Sequence, residues 1–415
     1  MKRTILSIFC FLSTSYSMAR GVVSFTGRSF FESPKEFQAS TEFITDVRVE
    51  EKLRFDSLEV KFNLIASADH RYRSSSYVDV NEAYIGYEYN KLFISAGYHI
   101  FNWTSMESFQ PADIVNSQVL DSDVESIKKL GELALNASYL TDFGILKFYI
   151  FPKVKENFLP QAQSRVLDGT RPVTSKVVLK EEVSDSLDHL QYGFGFEETY
   201  DDLELKINIL KSINRNFAIV GYQNYLLVPN VGIVPSSGLE TFYFDSLNIT
   251  TSGTYFIGEH TLKFEYVFSS PDNKDIELLT ANGVIRNIDR SLLALGYEYQ
   301  INHSGGLDSM FFLEYQRALK GNERVKQELY IFQNDFFLGH RLSFNDAYAM
   351  ELFSGFFYDL KRDEMFYLIN FSRRINDQWK FKVGYRGYQA NESDNLGLSL
   401  LDGDDEVYLT LYRYF

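Results

Sequence analysis

Apolar and polar side chains alternate one for one along much of this chain. In the segment SLEVKFNLIA, Leu58, Val60, Phe62 and Leu64 fall on one side, with Glu59, Lys61 and Asn63 on the other. LELKINIL repeats the pattern, with Leu203, Leu205, Ile207 and Ile209 against Glu204, Lys206 and Asn208. LKFEYVF sets Leu262, Phe264, Tyr266 and Phe268 against Lys263 and Glu265, and WKFKVGYRGY sets Trp379, Phe381, Val383 and Tyr385 against Lys380, Lys382 and Arg386. A helix would repeat every ~3.6 residues, so a period of two predicts strands with one apolar and one polar face. Two architectures use many such strands. A soluble sandwich turns the apolar faces inward, and a membrane barrel turns them outward to lipid with the polar faces lining a lumen.

The joints between strands separate the two. Short segments of turn-forming residues are predicted at 90–91, 142–144, 201–202, 258–259, 303–306, 345–346 and 376–377. Longer polar segments lie between them at 71–76, 102–130, 152–186, 214–238, 270–288 and 390–404. Short and long alternate strictly from Ile85 to Ile301, and short joints at 320–322 and 361–363 keep the parity further on. A sandwich has no reason to sort its loops by length. A barrel in a bacterial outer membrane does, with short turns in the periplasm and long loops outside. The sequence therefore predicts an all-β, antiparallel, up-and-down transmembrane β-barrel of about 18 strands, 16 being the neighbouring even count. It starts near Val22 and ends at Phe415. Residues 216–228 hold enough apolar residues for a strand, and 324–344 is long enough to contain a bulge.

The amino terminus fits that location. Lys2 and Arg3 precede an apolar run, and Ser17-Met18-Ala19 places small residues, Ser17 and Ala19, at the positions a signal peptidase reads, so residues 1–19 are expected to be a signal peptide cleaved after Ala19. The single cysteine, Cys10, leaves with that segment, which excludes disulfides and thiol chemistry from the mature chain. Residues 20–415 then form one barrel domain. Aromatic residues make up 16% of the chain, with 37 Phe and 28 Tyr, as a pleated wall with interfacial girdles requires. The formal charge of -15 argues against a nucleic-acid partner.

The carboxy-terminal segment EVYLTLYRYF sets Val407, Leu409 and Leu411 on one side and ends on Phe415. In this it resembles the last strand of Gram-negative outer-membrane porins. That resemblance implies an assembly signal, carried by Phe415, Leu411 and Leu409, that the barrel-assembly machinery reads. Arg413 on the same side and Tyr408, Tyr412 and Tyr414 opposite leave the orientation of this strand open. Residues 96–135 also resemble a segment of large porin-like proteins that include alginate-export-like and uncharacterised relatives. The matching residues are Trp103, Pro111, Asp113, Asn116, Asp121, Asp123, Glu125, Lys129, Leu130 and Gly131, and FFLGHRLSFND at 336–346 fits as well.

Residues 102–130 are long, aromatic and poor in glycine, and are expected to fold into the lumen as a constriction. Trp103 would anchor the segment and Asp113 and Asn116 would cap short helical turns, and Pro111 is a further candidate of this constriction. The polar strand faces offer Lys61, Lys206, Lys263, Lys380, Lys382 and Arg386 against Glu59, Glu204, Glu265 and Glu298 as pore-lining candidates. That slight basic excess predicts a mild preference for anions. Acidic runs at 121–125 and 402–406 read as solvated turns in preference to divalent-cation sites. His303 beside Ser304 falls in a turn at the periplasmic end, and no nucleophile, metal or phosphate motif appears, so neither an enzyme nor a cofactor is expected. The favoured function is passive passage of small hydrophilic solutes. The alternative is a structural or adhesive barrel closed by its loops at 153–186 and 214–238. Expected partners are outer-membrane lipid, lipopolysaccharide, the assembly machinery and the solute; a homotrimer is one assembly open to the barrel, and the sequence does not choose it.

Overall fold

The computed structural model describes residues 20–32, 39–72, 75–120, 127–159, 174–280, 283–390 and 397–415. The cleavage position after Ala19, Cys10 and the acidic run 121–125 lie outside them. Eighteen strands form one closed antiparallel sheet. Numbered along the chain, they are β1 (Arg20–Phe30), β2 (Thr41–Phe55), β3 (Leu58–Asp69), β4 (Tyr77–Tyr89), β5 (Leu92–His99), β6 (Glu132–Thr141), β7 (Gly144–Phe151), β8 (Gln191–Tyr200) and β9 (Leu203–Ile213). The second half comprises β10 (Glu240–Ile257), β11 (His260–Pro271), β12 (Arg290–Asn302), β13 (Asp308–Ala318), β14 (Asn334–Ser343), β15 (Glu351–Asp359), β16 (Met365–Arg374), β17 (Trp379–Gln389) and β18 (Glu406–Tyr414). Each strand pairs with its neighbour in sequence, and β1 pairs with β18 from Val22 opposite Tyr414 to Phe30 opposite Glu406. The Gly21 N–H donates to the Phe415 carbonyl at 2.9 Å and the Phe415 N–H returns to Gly21 at 3.0 Å. The last residue is therefore part of the seam, and no strand edge is left open to lipid.

The alternation sorts the side chains between two environments. Phe25, Ile85, Phe194, Leu295, Leu338 and Leu409 are exposed on the outer wall, while Asn208, Glu265, Glu314 and Glu406 are buried inside. Apolar surface in water costs about 25 cal/mol per Å², so a continuous outward apolar wall has lipid as its solvent. No helix among the described residues is long and apolar enough to cross a membrane; strands make the crossing. In β18, Arg413 lies outward with Val407, Leu409 and Leu411, its guanidinium 5.3 Å from the Trp379 ring. Tyr408 and Tyr412 face an internal cavity.

Joints at one end are tight, with left-handed φ at Asp56 (48°), Asn90 (52°), Asp201 (48°) and Gly258 (60°). Asn, Asp and Gly tolerate that region, which is why these pairs close hairpins here. The other end carries the long segments. Two sequence expectations there are corrected. The joint at 320–322 is the start of a segment that runs to 333, and 324–344 is not one bulged strand. Asn322 accepts from the Val325 N–H at 3.0 Å and caps a helix, Glu323–Leu329, so β14 begins only at Asn334. Residues 216–228 are not a barrel strand either. A break at 222–224 divides them, so that Ile219–Gly221 pairs with the start of β10 and Tyr225–Val228 forms a hairpin with Gly232–Pro235. The register shift lies elsewhere, between β3 and β4 at Asn63 and Leu64.

Candidate functional site

Residues 100–120 leave β5 and turn into the barrel. A loop taken away from water must find acceptors for its backbone N–H groups, and inward carboxylates on the far wall supply them. Glu265 on β11 accepts from the N–H groups of Ser105 (2.5 Å), Met106 (3.0 Å) and Ala112 (3.0 Å) and from the Thr104 hydroxyl. Glu314 on β13 accepts from the N–H groups of Glu107 (2.7 Å), Ser108 (3.1 Å) and Phe109 (3.0 Å). The Ser252 hydroxyl on β10 donates to the Trp103 carbonyl, and Arg341 on β14 pairs with Glu107. The loop thus spans the interior from β5 to β14.

The two arms of the loop are braced against each other. Asp113 accepts from the Trp103 N–H at 2.6 Å and pairs with Lys129. Asn116 accepts from the Phe101 N–H at 2.8 Å and donates to the carbonyls of His99 and Leu130. These two residues therefore cap no helical turn. The described part of the loop contains no helix, and their side chains serve orphan groups of the loop's own return. Pro111 stands second in a turn closed by the Asp113 N–H to the Gln110 carbonyl, a position its fixed φ suits. Trp103 is buried against Phe101 and Tyr149, with ring centroids 5.9 and 5.6 Å away. Where the loop rejoins the wall, a Cβ on Gly131 would stand 2.2 and 2.3 Å from the carbonyl oxygens of Asn81 and Val80. Gly131→Ala is therefore expected to cost ~1–3 kcal/mol by overpacking, seen as a lower urea midpoint at unchanged slope for the detergent-folded barrel.

A second junction ties this loop to the one after β9. Glu132 accepts from the Ser117 N–H (2.9 Å) and hydroxyl (2.6 Å), and it pairs with Arg215 at 3.2 Å. Arg215 also donates to Gln191 at 3.0 Å and to the Ile213 carbonyl at 2.8 Å, and both charged groups are 1% exposed. Aromatic packing fills the space around these anchors. Phe109 meets Phe332 and Phe357 at 5.4 and 5.8 Å within a cluster that includes Phe312, Phe337 and Phe366. Phe101, Trp103, Tyr149, Phe151 and Leu210 form another. These clusters fill much of the β7 to β16 side of the interior.

A cavity of about 950 Å³ lies between the loop and the wall formed by β1 to β4, β17 and β18. Of the residues expected to face a lumen, Lys382 and Arg386 line it, and so does Arg48. Arg386 pairs with Glu406 at 2.5 Å, and Arg28 lies 3.8 Å from Glu42 and 3.9 Å from Glu406. Lys61 faces inward and pairs with Glu82 at 2.6 Å. Lys206 and Lys263 line a smaller cavity of about 290 Å³ beside Thr104, where Lys263 pairs with Glu298. Lys380 stands inward beside Tyr412 and Arg374 near the turn end. Glu265 faces inward too, but it lies buried beneath the loop and lines no open space. The run 402–406 is not a solvated turn. Asp404 and Glu406 are buried, while Asp402 and Asp405 accept from the N–H groups of Ala390 (3.1 Å) and Tyr388 (2.8 Å). His303 sits in the β12–β13 turn, its Nε2 2.9 Å from the Ser309 hydroxyl. No group of three or more His, Cys, Asp or Glu among the described residues is arranged to hold a metal.

Sequence reasoning missed Glu314, Glu132 and Arg215. Parity was the available signal, since Glu314 is the one acidic residue at an inward position of β13 above Asp308.

No family model matches the chain, and no curated protein matches it in sequence. Its backbone is similar to that of solved structures. OccAB4 of Acinetobacter baumannii superposes with a TM-score of 0.58 at 9% identity, over 97% of this chain and 99% of that one. The fold is that of an outer-membrane porin. Salmonella typhi OmpF, solved in complex with daunomycin, gives a TM-score of 0.48 at 12% identity over 96% and 97% of the two chains. A mutant of Rh. blastica porin gives 0.45 at 9% over 96% and 100%. The porin fold accounts for the outward apolar wall, the closed seam and the sorting of turns from loops.

Proposed function

We propose that this porin-fold barrel is a passive channel for small hydrophilic solutes, constricted by residues 102–130 and mildly selective for anions. The observation that carries the reading is the cavity beside the loop. Its lining mixes charged side chains such as Arg48, Lys382 and Arg386 with apolar ones such as Ile44, Ile65 and Met106, and selection there needs only size and charge, so no covalent chemistry is asked of the wall. Counting the described charged residues that line it, with their ion-pair partners, gives eight cations (Arg28, Arg48, Lys61, Lys128, Lys129, Arg341, Lys382 and Arg386) against six carboxylates (Glu42, Asp46, Glu82, Glu107, Asp113 and Glu406). The excess is small because most of these charges neutralise one another in pairs, so a weak preference is expected.

Reversal potentials across a bilayer under a salt gradient test the sign. Anion preference is expected, Lys382→Glu should move the potential toward cation selectivity, and a cation-selective native channel would contradict the charge assignment. The aromatic packing that fills much of one side of the interior supports the second reading, a structural or adhesive barrel whose lumen its loops close. Outside the wall, the reading takes lipid and lipopolysaccharide as neighbours. Recognition of Phe415, Leu411 and Leu409 by the assembly machinery, and a homotrimeric assembly, belong to the same proposal.

A further inference from the structure

Most of the fixed charges that face the two cavities are neutralised within the protein. Around the larger cavity, Arg28 and Arg386 hold Glu42 and Glu406, Lys61 holds Glu82, Arg341 holds Glu107 and Lys129 holds Asp113. In the smaller one Lys263 holds Glu298. Four lining residues stand outside this pairing, Asp46 and Arg48 in the larger cavity and Glu204 and Lys206 in the smaller. No ion pair joins any of them to another described residue, and Lys206 reaches only the Asn102 carbonyl, at 3.5 Å.

The same pattern therefore occurs twice. Each cavity holds one unpaired acid and one unpaired base two residues apart on one strand, on β2 and on β9. Such residues share a face, so each strand presents opposite charges ~7 Å apart along the wall. Hydroxyl-bearing residues flank each acid, Asp46 lying in register between Ser24 and Ser67 and Glu204 between Thr199 and Thr254. Arg48 lies between Val22 and Ile65, and Lys206 between Ser252 and Glu197, whose charge is taken by Lys147 at 2.6 Å. Thr104 of the inward loop lines both cavities, so the two charge pairs flank one constriction.

An anion drawn to Arg48 or Lys206 is repelled by the acid beside it, and a cation meets the converse. A solute that carries both charges satisfies acid and base together. We propose that the two pairs are successive stations for small zwitterions, solutes of amino-acid size with one carboxylate and one ammonium. The proposal rests on the passive-channel reading above and narrows its solute. At each station the base takes the carboxylate and the acid takes the ammonium, in charge-assisted hydrogen bonds. The four side chains are half-buried or exposed, and contacts between exposed charges are weak. The solute can therefore leave as readily as it enters, as conduction requires.

The test is swelling of proteoliposomes holding the refolded mature barrel, in isosmotic alanine or lactamide. These are isomers of one formula, the first zwitterionic and the second uncharged. After subtraction of protein-free liposomes, alanine should enter about two- to fivefold faster, the effect expected of solvent-exposed charge contacts. Asp46→Asn with Glu204→Gln should bring that ratio to unity, and so should Arg48→Gln with Lys206→Gln. Exchanging both pairs, Asp46→Arg with Arg48→Asp and Glu204→Lys with Lys206→Glu, keeps both signs at each station and should keep the preference. A shift on heating in a detergent gel checks that each variant is folded. Equal entry of the two isomers into native proteoliposomes would overturn the inference and leave the channel standing, as would a preference that survives loss of both acids. Entry of neither isomer above the protein-free background would overturn the channel reading, and this inference with it.

Discussion

Replacing Glu265 and Glu314 together by alanine should release the inward loop and raise the single-channel conductance of the reconstituted barrel. Each carboxylate takes backbone N–H groups from the loop, three apiece, and Glu265 takes the Thr104 hydroxyl as well. Each buried donor left without an acceptor costs ~1–3 kcal/mol, so the loop in its native position would lose several kcal/mol per site. It can recover hydrogen bonds only by moving into water. The wall does not depend on these two groups, because its ladders are backbone to backbone. The variant should therefore still migrate as a folded barrel on an unboiled detergent gel while its current per channel increases. A folded double variant with unchanged conductance would mean that the loop does not limit the passage.

Arg215→Met should destabilise the barrel by ~3–5 kcal/mol, the cost of breaking a buried pair from one side. It would leave Glu132 fully buried without its cation and Gln191 and the Ile213 carbonyl without their donor. The pair with Glu132→Gln added should recover most of the loss, since the uncompensated charge is then gone. Urea unfolding of the four members of this cycle measures the coupling. Equal destabilisation in the single and double variants would show that packing of the long Arg215 side chain, and not charge, is what matters.

The wall was legible because its physics is local. Glu204, Lys206 and Asn208 alternate with Leu203, Leu205 and Ile207 within a single strand, and a two-residue period needs no knowledge of what lies across the barrel. The tight turns were legible for the same reason, since Asn90 and Asp201 carry their own tolerance for positive φ. The interior was not. Asp113 and Asn116 look like helix caps by type, but the groups they serve, the N–H groups of Trp103 and Phe101, are found only once the loop has folded back on itself. Glu265 was read as a pore wall from its parity alone. Its role depends on a segment about 160 residues away in sequence, a separation that no periodicity encodes. The helix Glu323–Leu329 was hidden by the opposite error, in which the expectation of another strand overrode an Asn cap followed by helix-forming residues.

Planar-bilayer recording with the refolded native protein tests the central claim most directly. Discrete conductance steps are predicted, larger in the Glu265→Ala, Glu314→Ala variant than in the native barrel. A heat-modifiable, fully folded barrel that gives no steps in either form would contradict a channel and leave a wall closed by its own loops.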